Sequence, residues 1–198
     1  MLNIKIFSDF ACPFCYLATG FFDKLKKDGV NFSLEWIPYE MYPHIPLEGK
    51  SIESKHPQGY HEKMLEFQNN LGKEYGIKFE NQTMDYNTHR ALLAGEYAKS
   101  VEKYDEFSKN AFKAYFHDLK NLGDLIILNH IAIKSGINVE EMNNLIDSGK
   151  FDSNIEEAKK LIKKFQVKGT PTFIINNKHK MVGMRPYEQM KDSFLSFK

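Results

Sequence analysis

The chain has two cysteines, and they stand close together in the run Cys12-Pro13-Phe14-Cys15. A disulfide across so short a loop removes little entropy from the unfolded chain, so redox chemistry or metal binding explains the pair better than a structural disulfide does. Proline fits the first position of a helix, where a missing N–H costs nothing. The spacing therefore places Cys12 at the N-cap of a helix and Cys15 one turn later on the same face.

These positions predict different roles for the two thiols. Free N–H groups and the positive end of the helix dipole stabilise a thiolate at Cys12. Cysteines in such positions titrate well below their usual range. Cys15 points into the helix and is expected to be less accessible. We predict that Cys12 attacks and that Cys15 resolves.

The apolar spacing around the pair predicts a β-α-β unit. Polar and apolar residues alternate over 2–6 and again over 32–36, and apolar residues recur every four positions from Leu17 to Leu25. From about 60 to 165 the patterns are helical, with a capping-box sequence at 153–156. The segment 172–182 is predicted to form a hairpin that turns at Asn176 and Asn177, and a final helix follows from about 185. The order is α/β, with a helical block between two sheet-forming parts.

Composition excludes several classes of protein. The 198 residues include 27 Lys plus Arg and 26 Asp plus Glu, a net charge of +1, so no general attraction to nucleic acid or an acidic membrane is expected. The longest aliphatic run, 125–128, is far shorter than the roughly 18 residues that span a bilayer. The N-terminus lacks the features of a secretory signal, so we expect a cytoplasmic protein.

A second element supports redox chemistry at the cysteine pair. Thr170-Pro171 leads into the predicted hairpin, and X-Pro bonds adopt the cis form at modest cost. A cis Pro171 beside the thiols would leave the backbone of Thr170 free to pair with an extended substrate and would keep a metal away. We expect Phe10, Pro13, Phe14 and Thr170 to form an apolar substrate-binding surface. The alternative, that Phe14 packs under the helical block, stays open.

The sequence resembles thioredoxin-fold proteins with an inserted helical domain, and within that family the DsbA-like, FrnE-type group. Six stretches carry the resemblance: 8–17, 36–38, 87–91, 114–116, 169–173 and 182–186. The resemblance implies a thioredoxin-like domain over 1–58 and 166–198 and a helical domain over 59–165. It implies a dithiol–disulfide oxidoreductase that acts on protein or small thiols. Cys12 would be the nucleophile, Cys15 the resolver and Pro171 the cis proline. The redox group would be the Cys12–Cys15 disulfide, with no bound cofactor.

Two other functions are weighed against this one. Kappa-class glutathione transferases and hydroxychromene-carboxylate isomerases are similar to the same fold and use the thiol of glutathione, so glutathione is a candidate co-substrate. Such enzymes need no resolving cysteine, and Cys15 speaks against them. A metal site of Cys12, Cys15, His56 and His61 is disfavoured, because the forty-residue gap is far longer than in zinc fingers.

Some features stay open at this level. Glu35 is a candidate proton relay for Cys15, although strand alternation favours its exposure. The direction of the redox reaction depends on the potential of the site relative to its compartment. The client and the oligomeric state are not indicated by any motif.

Overall fold

The computed structural model describes residues 1–52 and 59–197. Four strands form the main sheet: β1 (Leu2–Ser8), β2 (Phe32–Pro38), β5 (Thr172–Ile175) and β6 (His179–Val182). Their order in the sheet is β2-β1-β5-β6. β1 pairs in parallel with β2 and antiparallel with β5, and β5 pairs antiparallel with β6.

Helices cover both faces of this sheet. Leu2, Ile4 and Ile6 of β1 share one hydrophobic cluster with residues of α1 (Pro13–Lys27) and α8 (Tyr187–Leu195). On the other face Phe7 packs in a cluster with Ala158 of α7 (Asp152–Lys164). This is the predicted thioredoxin-type order, β-α-β followed by β-β-α.

The helical block lies between β2 and β5 in sequence. It contains α2 (Tyr60–Gly72), α3 (His89–Ser100), α4 (Tyr104–Phe116), α5 (Leu125–Lys134) and α6 (Val139–Asp147), with a 3-10 turn at Lys73–Tyr75. Two further strands, β3 (Lys50–Ser51) and β4 (Met84–Asp85), pair as a short antiparallel ribbon. α7 packs on the sheet although it precedes residue 166. The predicted division into a domain over 1–58 and 166–198 and a helical domain over 59–165 stays a prediction.

Two local details concern the turn between β5 and β6 and the start of α7. Asn176 and Asn177 have φ angles of 53° and 55°, the left-handed conformation that a tight hairpin turn requires and that Asn tolerates. The expected capping box at 153–156 is wrong: α7 begins at Asp152 with Phe151 as its N-cap, so Ser153 lies inside the first turn. No helix within 1–52 or 59–197 is both long and apolar enough to cross a membrane.

Candidate active site

The two cysteines lie at the start of α1, as the spacing predicts. Cys12 is the N-cap residue with extended backbone angles, and Pro13 occupies the first turn. The backbone N–H of Cys15 donates to the carbonyl of Cys12 at 3.0 Å. Both cysteines are free thiols, with exposed fractions of 2% for Cys12 and 0% for Cys15. The difference in accessibility between them is therefore small.

Burial and hydrogen bonding shift the pKa values of the two thiols in opposite directions. Burial disfavours the Cys12 thiolate, but hydrogen bonds to its sulfur have the larger effect. The donors are the thiol and the backbone N–H of Cys15 and the hydroxyl of Thr170. The pKa of Cys12 is therefore lowered. Burial, the hydrogen bond to Cys12 and the charge of the Cys12 thiolate raise the pKa of Cys15 well above its ordinary value. This asymmetry is the one expected for an attacking and a resolving thiol.

Thr170 lies beside Cys12, and Pro171 follows it in the chain. The Thr170-Pro171 peptide bond is cis, and Pro171 is buried. The Thr170 hydroxyl bonds with the Cys12 sulfur and also donates to Met41 Sδ at 3.0 Å. A hydroxyl has one hydrogen to donate. Cys12 and Met41 are therefore two sulfur acceptors for one donor.

Asp9 anchors the loop that precedes Cys12. The side chain is fully buried. Its Oδ1 accepts from Ala11 N at 3.0 Å and from the Thr88 hydroxyl at 2.7 Å, and its Oδ2 accepts from Met41 N at 2.6 Å. Burial raises the pKa of Asp9, and the three donors oppose that shift. The carboxylate thus joins the cysteine loop, the segment after β2 and the start of α3.

The structure corrects the expectation for Phe10. We predicted an exposed substrate-binding side chain, but Phe10 is only 2% exposed. Its ring lies 5.8 Å from that of Phe107 and 5.0 Å from that of Phe112, both on α4. Aromatic rings in such contacts are core residues. Phe10 therefore joins the cysteine loop to the helical block and does not offer a surface to substrate.

Pro13 and Phe14 remain at the edge of the site, half-buried. The ring of Phe14 lies 6.1 Å from that of Phe67 on α2, so the helical block contacts this side chain without burying it. Beside Pro13 is a cavity of about 160 Å³. Part of its wall is apolar, with Ala11, Met41, Met64 and Leu65, and part is polar, with Gln68, Glu80, Gln82 and Asp85 among its residues.

Two other candidates from the sequence were Glu35 as a proton relay and a metal site that includes His56 and His61. Glu35 pairs with Lys5 at 2.5 Å and its side chain is 55% exposed, so it is not a buried relay. Within 1–52 and 59–197 no three His, Cys, Asp or Glu side chains are grouped to hold a metal ion. His56, part of the weighed metal site, lies outside the described residues.

Sequence reasoning assigned no role to Ser8, Asp9, Met41 or Thr88. Ser8 and Asp9 sit between an apolar strand and the cysteine motif, and two polar residues there were a usable signal. Thr88 and Met41 carry no local signal, because their contacts with Asp9 join positions 79 and 32 residues apart.

Comparisons with known proteins agree with this geometry. The family model of the DSBA-like thioredoxin domain matches residues 3–194. The uncharacterized protein YwbO of Bacillus subtilis (strain 168) is 26% identical over 178 residues, which are 89% of this chain and 88% of that protein.

Two solved structures show the same fold. The probable DsbA oxidoreductase SCO1869 from Streptomyces coelicolor superposes with a TM-score of 0.88 at 16% identity, covering 99% of this chain and 89% of that one. A 2-hydroxychromene-2-carboxylate isomerase superposes with a TM-score of 0.72 at 18% identity, covering 98% and 94%. At these identities the likeness concerns the fold alone.

Proposed function

Because the chain belongs to the family of DSBA-like thioredoxin domains, we propose that it is a thiol–disulfide oxidoreductase whose Cys12–Cys15 pair exchanges with protein or small-thiol substrates. The observation that carries this proposal is the geometry of two adjacent, buried, free thiols at the N-terminus of α1, with the Thr170 hydroxyl bonded to the first of them. The pKa of Cys12 is lowered and that of Cys15 is raised by their surroundings, which agrees with this geometry. A thiolate is the attacking species in disulfide exchange, and the second thiol must stay protonated until its turn.

The chemistry follows from the contacts. The Cys12 thiolate attacks one sulfur of a substrate disulfide, and the other sulfur leaves as a thiolate. Cys15 then attacks the Cys12 sulfur, forms the Cys12–Cys15 disulfide and releases the second substrate thiol. In the opposite direction a substrate thiolate attacks the Cys12–Cys15 disulfide, and the same steps run in reverse.

Partners and location belong to the same proposal. The segment of the substrate next to its reacting sulfur would bind to Pro13, Phe14, Thr170 and Pro171. The redox-active group is the cysteine pair itself, with glutathione as a candidate co-substrate. We expect the protein to work in the cytoplasm without nucleic-acid or membrane partners, and a FrnE-type activity remains a prediction.

Matched serine variants test the proposal. With a peptide disulfide, Cys15→Ser should accumulate a mixed disulfide on Cys12, whereas Cys12→Ser should accumulate none. In the reduced wild type, iodoacetamide at neutral pH should label Cys12 first, because its thiolate is the more populated. First labelling at Cys15, measured by mass spectrometry of the peptides, would refute the assignment of roles.

The same variants separate this function from a glutathione transferase or isomerase. A glutathione-dependent enzyme takes its attacking thiol from glutathione, so Cys15→Ser should retain its activity. Retention on immobilised glutathione together with conjugation of a model electrophile by Cys15→Ser would favour that alternative. Loss of all turnover in Cys15→Ser, with trapping on Cys12, supports the oxidoreductase.

A further inference from the structure

The sulfur of Met41 is connected to the active site through Thr170. Met41 follows β2, and its Sδ accepts a hydrogen bond from the Thr170 hydroxyl at 3.0 Å. The same hydroxyl bonds with the Cys12 sulfur and contributes to the lowered pKa of Cys12. Because this hydroxyl has one hydrogen to donate, a change that makes Met41 a stronger acceptor weakens the hydrogen bond to Cys12.

The backbone of Met41 is fixed by the buried carboxylate of Asp9. Met41 N donates to Asp9 Oδ2 at 2.6 Å, and Asp9 has no exposed surface. The other oxygen of Asp9 accepts from Ala11 N in the cysteine loop and from the Thr88 hydroxyl. One carboxylate therefore anchors both Met41 and the loop that carries Cys12.

Met41 is accessible to a small oxidant. It is half-buried and lines the cavity of about 160 Å³ beside Pro13. Gln68 and Gln82 contribute amide groups to the polar part of the same wall. About 10–15 Å³ is enough to hold one water molecule, so the cavity has room for hydrogen peroxide and for the oxygen that a sulfoxide adds.

Oxidation changes how strongly this side chain accepts a hydrogen bond. A thioether sulfur is a weak acceptor, whereas methionine sulfoxide carries a polar oxygen. Hydrogen peroxide transfers one oxygen atom to Met41 Sδ: the S–O bond forms, the O–O bond breaks and one water molecule is released. The sulfur loses two electrons, and the peroxide gains them. The new oxygen is a stronger acceptor for the Thr170 hydroxyl than the thioether that it replaces.

We propose that Met41 is a site of reversible oxidation by peroxide, and that its sulfoxide draws the Thr170 hydroxyl away from Cys12. The consequence, slower disulfide exchange after exposure to peroxide, rests on the proposed function. Without this hydroxyl the Cys12 thiolate loses a donor, so the thiolate becomes less populated. A methionine sulfoxide reductase removes the oxygen from Met41, and the hydroxyl then returns to Cys12.

Other methionines provide the comparison that the inference needs. Met142 and Met190 have no exposed surface, so peroxide should reach them slowly. Met64 lies on α2 and lines the same cavity as Met41, so both meet the same oxidant. The Thr170 hydroxyl donates to Met41. Met64 is therefore a matched control for oxidation inside the cavity.

Titration of Cys12 after oxidation tests the inference. The two thiols are first protected as the Cys12–Cys15 disulfide, the protein is treated with hydrogen peroxide, and dithiothreitol then reduces the disulfide but not the sulfoxide. Peptide mass spectrometry should find the added oxygen on Met41. Thiolate absorbance should show that the pKa of Cys12 has risen by about one pH unit, the effect of losing one hydrogen bond to a charged group.

The rate of disulfide exchange is the second readout. Below the folded pKa of Cys12, a rise of about one pH unit leaves about tenfold less thiolate. A thiolate of higher pKa is the better nucleophile, which offsets part of this loss. Attack on a peptide disulfide should therefore slow about threefold in the oxidised wild type.

Three variants assign the effect to one sulfur and one hydroxyl. Met41→Leu and Met64→Leu keep the side-chain volume nearly constant, so both should fold. Peroxide should leave the pKa of Cys12 unchanged in Met41→Leu and should raise it fully in Met64→Leu. Thr170→Val lacks the shared hydroxyl, so oxidation of Met41 should not raise the pKa of Cys12 further. Methionine sulfoxide reductase should return the treated wild type to its starting pKa, which also shows that oxidation has not unfolded it.

The outcomes separate the two proposals, because the titration does not depend on turnover. If the protein exchanges no disulfides but peroxide shifts the pKa of Cys12 through Met41, the proposed function fails and the effect of the sulfoxide is supported. If exchange is normal but Met41 resists oxidation while the exposed Met1 is oxidised, the inference alone is refuted. An unchanged pKa of Cys12 after oxidation of Met41, or an equal shift in Met41→Leu or Thr170→Val, would also refute it.

Discussion

The carboxylate of Asp9 accepts a 2.7 Å hydrogen bond from the hydroxyl of Thr88, 79 positions further along the chain. Thr88 is the N-cap of α3, yet its side chain does not cap that helix. The hydroxyl donates to the buried carboxylate next to the cysteine loop instead. This bond links the helical block to the segment that positions Cys12.

Removing the Thr88 hydroxyl should destabilise the protein more than removing an ordinary buried hydroxyl. Thr88→Val is expected to lower the free energy of unfolding by about 1.5–3 kcal/mol, because the acceptor is a charged group. Thr19→Val is the control, since the Thr19 hydroxyl is also buried but donates to the neutral carbonyl of Tyr16 at 2.7 Å. Thr19→Val should lower the free energy of unfolding by about 0.5–1.5 kcal/mol, measured by urea unfolding. Equal losses would contradict the role of Asp9.

The Thr170 hydroxyl should tune the reduction potential. Thr170→Val removes a donor to the Cys12 thiolate, so the pKa of Cys12 should rise and the reduced form should lose stability. A loss of about 1.5 kcal/mol makes the potential about 30 mV more negative. The measurement is equilibration with glutathione, with thiolate absorbance giving the pKa.

Thr172→Val is the control for that experiment. Thr172 lies on the other side of Pro171, and its hydroxyl donates to the carbonyl of Gly169 at 2.6 Å. It should leave the potential unchanged. Met41→Leu removes the competing sulfur acceptor and should shift the pKa of Cys12 in the opposite direction to Thr170→Val. A shift in the same direction would show that the two sulfurs do not compete.

The stability of the reduced form should pass through a maximum as pH changes. The pKa of Cys12 is lowered, so the unfolded chain binds more protons up to the ordinary value of 9.0 and stability rises with pH. This gain is lost as pH falls through the folded pKa. The pKa of Cys15 is raised, so above 9.0 the folded chain binds more protons and stability falls.

Melting of the reduced and oxidised forms between about pH 4 and pH 10 checks this dependence. The oxidised form lacks both thiols, so the difference between the two forms isolates the cysteines. The difference should rise toward pH 9.0 and decline above it. A difference that does not change with pH would mean that neither thiol has a shifted pKa.

Phe10 and Phe14 should respond differently to truncation. Phe10→Ala removes a core ring between Phe107 and Phe112 and should cost about 3–5 kcal/mol of stability. Phe14→Ala removes a half-buried ring and should cost clearly less, while it raises KM for a peptide disulfide. Chemical unfolding and turnover kinetics separate the two effects. Loss of substrate affinity in a Phe10→Leu protein of normal stability would restore Phe10 to the substrate surface.

Local pattern was sufficient for the framework of the site. The position of Cys12 at a helix N-cap follows from Pro13, and the sheet-forming parts follow from alternation around residues 2–6, 32–36 and 172–182. These features depend on residues near one another in sequence, where backbone geometry and periodicity act directly. The different roles predicted for the two cysteines have the same origin.

The tertiary structure alone decided what surrounds the thiols. Alternation indicates which face a side chain occupies, but not which distant segment will cover that face. Phe10 was expected at the surface because nothing near it in sequence shows that Phe107 and Phe112 bury it. Likewise Glu96 lines a small cavity together with Ser8, because α3 packs there from the helical block, whereas Glu35 is exposed and pairs with Lys5. Burial and charge contacts of this kind arise from packing between segments, which residue spacing does not encode.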